Sequence, residues 1–137
     1  MGNMKLDVEV RAAPDKVWAV LGDLAGTPRW VPGVAAALLQ GTTRICTLAD
    51  GNVIHEEISE VSPPTRGYRY RHVKTPMPVR ESSGRFWVTG EGARSTVHVE
   101  ARLEALDPSM QGALEQMMTG GLRQSLANLK ALVEGGR

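Results

Sequence analysis

The chain has 137 residues, 42% of them hydrophobic and 23% charged, with a formal net charge of +1. That composition fits one globular domain over residues 1–137, with enough chain for a core that needs no staples. It excludes an internal disulfide, since Cys46 is the single cysteine, a bulk nucleic-acid footprint, since the charge is nearly balanced, and a bilayer-spanning helix, since no apolar run approaches ~18 residues.

In chain order, Met1-Gly2-Asn3-Met4-Lys5 lacks the apolar segment of a signal peptide, so a reducing, cytoplasmic location is expected. Leu6, Val8 and Val10 alternate with Asp7, Glu9 and Arg11, which predicts a half-buried first strand. Pro14 and Asp15 suit the first turn of a helix. Val17, Trp18, Val20, Leu21 and Leu24 keep helical spacing, with Gly26-Thr27-Pro28 as the expected stop and a short second helix or turn before Trp30. Strands are predicted near 35–40, 42–49, 53–61, 66–74, 80–90 and 95–105, each bounded by Gly, Pro or Asp-Gly. Asp107-Pro108-Ser109 opens a last helix, whose apolar stripe runs from Met110 through Met117, Met118 and Leu126 to Val133, with Gly135-Gly136 closing it. Gly120 and Gly121 inside it cost about 1 kcal/mol each. They have two readings, close packing on the sheet or a kink that makes room for a ligand.

This order predicts an α+β fold: a curved seven-stranded antiparallel sheet wrapped around a long C-terminal helix, with two short helices after strand 1. Three Trp, two Tyr and one Phe are the only side chains of that size, so a sheet gripping one helix leaves a hollow lined mainly by aliphatic groups and Met.

Two charges fall among apolar neighbours. Arg44 lies in Gly41-Thr42-Thr43-Arg44-Ile45-Cys46-Thr47-Leu48 and Glu56 in Val53-Ile54-His55-Glu56-Glu57-Ile58, with Asp50-Gly51 as the turn between them. If Cys46, Leu48, Ile54 and Ile58 face inward, period-two alternation carries Arg44 and Glu56 inward as well. The register is open from the residues alone. A two-residue turn pairs Arg44 with Glu57 and puts His55 on its face; a three-residue turn with a bulge sets Arg44 diagonal to Glu56. Charges are rarely buried unless paired, so this pair points to a small-molecule cavity, with a structural ion pair as the plain alternative.

Three strings carry a family resemblance: Ala13-Pro14-Asp15-Lys16-Val17-Trp18 through Asp23, Arg29-Trp30-Val31-Pro32-Gly33-Val34, and Tyr68-Arg69-Tyr70 followed by Pro76-Met77-Pro78-Val79. Together they resemble the SRPBCC superfamily, the helix-grip fold of polyketide cyclase/dehydrase-like proteins, START domains and the birch-pollen-allergen group. Gly41 to Arg44 and Ile54 to Ile58 are similar to the branch that includes plant lachrymatory-factor synthase and many bacterial relatives. The resemblance favours an inward Glu56. It implies that Glu56, Arg44 and Tyr70 are pocket residues with chemical roles. The branch often carries a further tyrosine after the Pro-x-Pro segment, where this chain has Ser82.

The expected chemistry is cofactor-free proton transfer: cyclisation, dehydration or isomerisation of a mostly apolar, oxygenated or polyketide-like molecule. A carboxylate between isoleucines is expected to have a raised pKa, opposed by the guanidinium, and to move protons near neutral pH. Arg44 would hold a substrate oxygen by a forked contact, and Tyr70 would donate. Trp30, Cys46, Tyr68, Ser82, Met117, Met118 and Gly121 are expected to contact the ligand. Cys46 has no evident activating base and reads as a small core filler. His55, His72 and His98 fall in no metal spacing, so no metal is expected. Arg66, Arg69, Arg71, Lys74, Arg80 and Arg85, broken only by Glu81, read as a solvated outer face or as a docking patch for an anionic partner such as an acyl carrier protein. A carrier or sensor of a hydrophobic ligand is the competing function.

Overall fold

The computed structural model describes residues 2–135. Alternating apolar residues make β1 (Gly2–Val10), with Met4 and Val10 buried. The chain then turns at Pro14 into α1 (Pro14–Leu21), which buries Val17 and Leu21. This helix ends earlier than its apolar spacing predicts. Leu24–Arg29 instead forms a 3-10 turn containing Pro28, after Asp23 leaves helical geometry at ψ 87°. Proline at that position has no N–H for an α-helical bond, and its ring would crowd the carbonyl four residues back.

Six strands follow: β2 (Val34–Gln40), β3 (Thr43–Leu48), β4 (Val53–Ser62), β5 (Gly67–Lys74), β6 (Val79–Glu91) and β7 (Arg94–Ala105). With β1 they form one antiparallel sheet in the order β1-β7-β6-β5-β4-β3-β2. The segment with α1 and the 3-10 turn therefore links the two opposite edges. Along β7 the pattern is nearly perfect: Val97, Val99, Ala101, Leu103 and Ala105 are buried, while His98 between them stacks on Trp87 on the outer face, ring centroids 4.9 Å apart.

A 3-10 turn (Pro108–Met110), entered where the Asp107 carboxylate accepts from the Ser109 N–H at 3.0 Å, leads into α2 (Gln111–Gly135). Gly136 of the expected helix stop lies outside the described residues. Both ends of α2 are tied down. Near its start the Gln111 side chain accepts from the Ala105 N–H at 2.8 Å; near its end Lys130 donates to the Glu9 carbonyl at 2.9 Å, and Glu134 accepts from the Arg11 N–H at 2.8 Å. Leu126, Leu129 and Val133 fill the main core with Val10, Val17, Phe86 and Val97, and Leu114 closes a smaller one with Met4 and Leu103. Between Leu114 and Ser125 no residue of α2 is buried. The helix is anchored at its ends and lies over open space in its middle. No helix among the described residues is long and apolar enough to cross a membrane.

Candidate active site

The site is a row of four polar side chains across four neighbouring strands. Its register starts at the β3–β4 turn. Leu48 N–H donates to the Asn52 carbonyl at 2.7 Å, leaving Ala49, Asp50 and Gly51 in the loop. Gly51 takes φ +90°, a conformation that favours glycine. Arg44 therefore stands directly opposite Glu56 rather than diagonal to it. Glu57 faces out, where the Thr43 hydroxyl donates to it at 3.3 Å. A bulge between His55 and Glu56 leaves Val73 unpaired and half-exposed, and aligns Glu56 with His72 on β5. Ser82 on β6 follows one step beyond the pair Arg71 and Ser83. Arg44, Glu56, His72 and Ser82 so form one inward line.

Their contacts are continuous. Arg44 Nε donates to Glu56 Oε1 at 2.7 Å. Its Nη1 donates to the Thr27 hydroxyl at 3.1 Å and approaches the Leu24 carbonyl and the Tyr68 hydroxyl at 3.4 and 3.5 Å. Its Nη2 makes no hydrogen bond among the described residues. His72 Nε2 lies 3.2 Å from Glu56 Oε2, and His72 Nδ1 lies 2.7 Å from Ser82 Oγ. An ionised carboxylate only accepts, so Nε2 carries the proton it shares with Glu56, and in the neutral ring Nδ1 accepts from the Ser82 hydroxyl.

Arg44 and Glu56 are 4% and 7% exposed, so their charges lie outside bulk water. Burial pushes the Glu56 carboxyl upward, but the hydrogen bond from His72 and the Arg44 charge outweigh it and hold the group down at about 2. This corrects the expectation of a carboxyl near neutral: burial is opposed not by the guanidinium alone but by the guanidinium and His72 together. Burial, with the Glu56 charge beside it, pushes the Cys46 thiol up to about 12, so it stays protonated and fits a small core filler. Burial also raises the phenols of Tyr68 and Tyr70.

The row opens on a cavity of about 270 Å³ between the sheet and the middle of α2. Arg44, Glu56, Cys46, Tyr68, Tyr70 and His72 line its sheet side. Trp30 also borders it, and Met117, Met118 and Gly121 form the helix side. Of the residues expected to touch a ligand, only Ser82 is absent from this lining. It is 1% exposed and sits behind His72. The tyrosine beside Arg44 is Tyr68. The Tyr70 phenol lies against Gly84, where an added Cβ would come within 2.5 Å of its hydroxyl oxygen. At Gly120 and Gly121 an added Cβ would meet nothing within 4 Å, which rules out close packing as their reason. The helix is unbroken through both.

Two contributors went unread in the sequence. His72 shares the parity of Tyr68 and Tyr70, so the alternation that turns the tyrosines inward also turns His72 inward; metal spacing alone did not reveal it. Thr27 gave no signal, since its role depends on the 3-10 turn. On the outer face the basic run is laced into ion pairs: Arg66 with Asp15, Arg69 with Glu60, Arg80 with Glu104 and Arg85 with Glu100, at 2.7 to 3.2 Å. On an exposed face each such pair adds little stability.

A double-sided match joins this geometry to known proteins. The family model described as polyketide cyclase / dehydrase and lipid transport matches residues 1–134, and the chain belongs to that family. Its fold is the START-like helix grip. XoxI from Bacillus cereus is 23% identical with a TM-score of 0.87, over 97% of this chain and 96% of its own. The di-domain ARO/CYC BexL is 25% identical with a TM-score of 0.84, over 98% of this chain; this chain spans 47% of BexL. Norcoclaurine synthase from Thalictrum flavum, solved with dopamine and hydroxybenzaldehyde, is 16% identical with a TM-score of 0.77, over 99% of this chain and 88% of its own. No curated protein matches the sequence.

Proposed function

We propose that the cavity binds a small, mostly apolar oxygenated molecule and promotes cofactor-free proton transfer on it, as cyclisation, dehydration or isomerisation. The observation that carries this reading is an ionised Glu56, held between Arg44 and His72, on the wall of an otherwise apolar hollow. A cavity of ~150 Å³ holds benzene. By that measure 270 Å³ suits a ligand of roughly eleven heavy atoms. The single-ring aromatics dopamine and hydroxybenzaldehyde in norcoclaurine synthase, and the ARO/CYC designation of BexL, support the same class of molecule.

Arg44 Nη2 is the free donor for a carbonyl oxygen, and the protonated Tyr68 phenol lies beside the neighbouring Nη1 of the same guanidinium. Glu56 rests as the base. It takes a proton from the carbon next to the carbonyl; the C–H electron pair becomes the enolate, whose charge Arg44 receives. Glu56 is a weak base, so the substrate carbon must be acidified by its carbonyl neighbours. Once protonated, Glu56 is a strong acid and passes the proton on: to a leaving hydroxyl, to another carbon, or to the alkoxide formed when the enolate attacks a second carbonyl.

The test is hydrogen–deuterium exchange at the carbon next to the carbonyl of 2-tetralone, followed by NMR. The wild type should accelerate exchange, and Glu56→Gln should bind 2-tetralone but lose the acceleration by about 10²-fold or more. Equal exchange in the two proteins would remove Glu56 as the proton acceptor. The lipid-transport part of the family description favours a second reading, a carrier. In that case 2-tetralone binds and neither protein accelerates exchange.

A further inference from the structure

The two oxygens of Glu56 are held unequally. Oε1 accepts from Arg44 Nε at 2.7 Å and from the Cys46 thiol at 3.5 Å. Oε2 has one contact among the described residues, His72 Nε2 at 3.2 Å. The place of Oε2 therefore depends on His72 alone, and His72 is held from behind by Ser82. His72 Nδ1 lies 2.7 Å from Ser82 Oγ, and that hydroxyl has no other partner among the described residues. Ser82 is 1% exposed and absent from the cavity lining, so it does not reach a ligand in the cavity.

Resting on the reading of Glu56 as the base, we propose that Ser82 is a positioning residue for it: the Ser82 hydroxyl donates to His72 Nδ1 and so commits the His72 Nε2–H to Glu56 Oε2. Donation then runs one way, from Ser82 through His72 to Glu56, and ends on the carboxylate oxygen that Arg44 does not hold. Which nitrogen of a neutral imidazole carries the proton follows from the partners of both. A fixed acceptor in place of Ser82 would draw the ring proton to Nδ1 and turn the bare Nε2 lone pair toward an anion. A hydroxyl donates there without adding a charge. With the hydroxyl removed, Nδ1 is a buried acceptor that meets nothing, and the ring gains by leaving its orientation. Oε2 then loses its donor, and Glu56 its fixed geometry.

The experiment compares the wild type, Ser82→Ala and Ser82→Thr. The ring nitrogens of His72 are read by ¹⁵N NMR at about pH 9, well above the ordinary histidine range, and exchange of 2-tetralone is followed separately. In the wild type Nε2 should give the signal of a protonated nitrogen and Nδ1 that of a bare acceptor. Ser82→Ala should lose that pattern. It should also lower the exchange rate at saturating 2-tetralone by about tenfold, with the half-saturating concentration unchanged because Ser82 stands outside the cavity. Ser82→Thr, which keeps a hydroxyl, should restore both. If Ser82→Ala does not fold, Ser82→Cys carries the test, since its weaker donor should show the same losses in smaller measure. A protonated Nδ1 in the wild type overturns the assignment. So does a variant without the hydroxyl that exchanges 2-tetralone at the wild-type rate: Ser82 is then only structural, and Glu56 remains the base. If the wild type does not accelerate exchange, the base itself falls and the assignment with it.

Discussion

Glu56→Gln separates the electrostatics of the row from its chemistry, because its effect on stability is calculable without a substrate. The side chains are nearly equal in volume, so packing is kept and only the charge is lost. Glu56 falls from an ordinary 4.5 to about 2 on folding. That difference corresponds to about 3 kcal/mol of stability at pH 7, within the range expected when one partner of a buried pair is removed. The sign follows from the depressed folded value. The stabilisation is complete above pH 4.5 and is lost as pH falls from there through about 2. Glutamine mimics the protonated carboxyl and carries no such dependence. The variant should therefore be about 3 kcal/mol less stable than the wild type at pH 7, should lose roughly half of that deficit by pH 3, and should be nearly equal at pH 2. With a urea slope of about 1.5 kcal/mol/M, the midpoint should fall by about 2 M at pH 7. Taking the difference between the two proteins cancels the other carboxylates, Glu134 and Glu100 among them, which titrate in both. Urea melts at pH 7, 5, 4 and 3 give the result. A gap of constant size over that range, or no gap at all, refutes the claim that Arg44 and His72 hold Glu56 ionised.

Three further outcomes follow from the same geometry. Replacing both charges, Arg44→Met with Glu56→Leu, should return stability to within about 1 kcal/mol of the wild type in urea melts, since no unpaired charge remains, while exchange of 2-tetralone stays lost. Gly121→Leu should block 2-tetralone binding without lowering the Tm, because the added side chain enters open space, and Gly120→Ala should raise stability by about 1 kcal/mol. Ser82→Ala and His72→Phe should be non-additive in a double-mutant cycle, with a coupling of about 1 kcal/mol, because each leaves the other's buried polar group without its 2.7 Å partner.

The sheet was legible in the sequence because its strands alternate cleanly and its turns carry Gly, Pro or Asp-Gly; β7, with every second residue buried, is the plainest case. Arg44 and Glu56 were legible for the same reason, since a charge at an inward position breaks a period-two pattern visibly. What escaped depends on relations between strands. The bulge that leaves Val73 unpaired decides that Glu56 faces His72, and nothing in Glu56-Glu57-Ile58 announces it. The direction of the Glu56 pKa changed with it: one guanidinium competes with burial, whereas a guanidinium and an imidazole together override it. The length of α1 was misjudged because Leu24 keeps the apolar spacing of a helix that Pro28 cannot continue as an α-helix.

The same comparison decides whether the hollow is a defect of packing or a feature of the fold. A packing defect is expected to be surrounded by otherwise favourable choices. Here three unfavourable ones meet at a single place: Gly121 in the middle of α2 with nothing opposite it, a buried charge pair, and a helix stretch from Leu114 to Ser125 in which no residue between those two is fully buried. Local violations of this kind cluster at sites that serve something other than stability. They are met by the same event, an oxygenated apolar molecule entering beneath α2: it fills the space beside Gly121 and meets the free Nη2 of Arg44. One occupant that satisfies several independent deficits is a stronger argument for a binding site than the volume of the hollow alone.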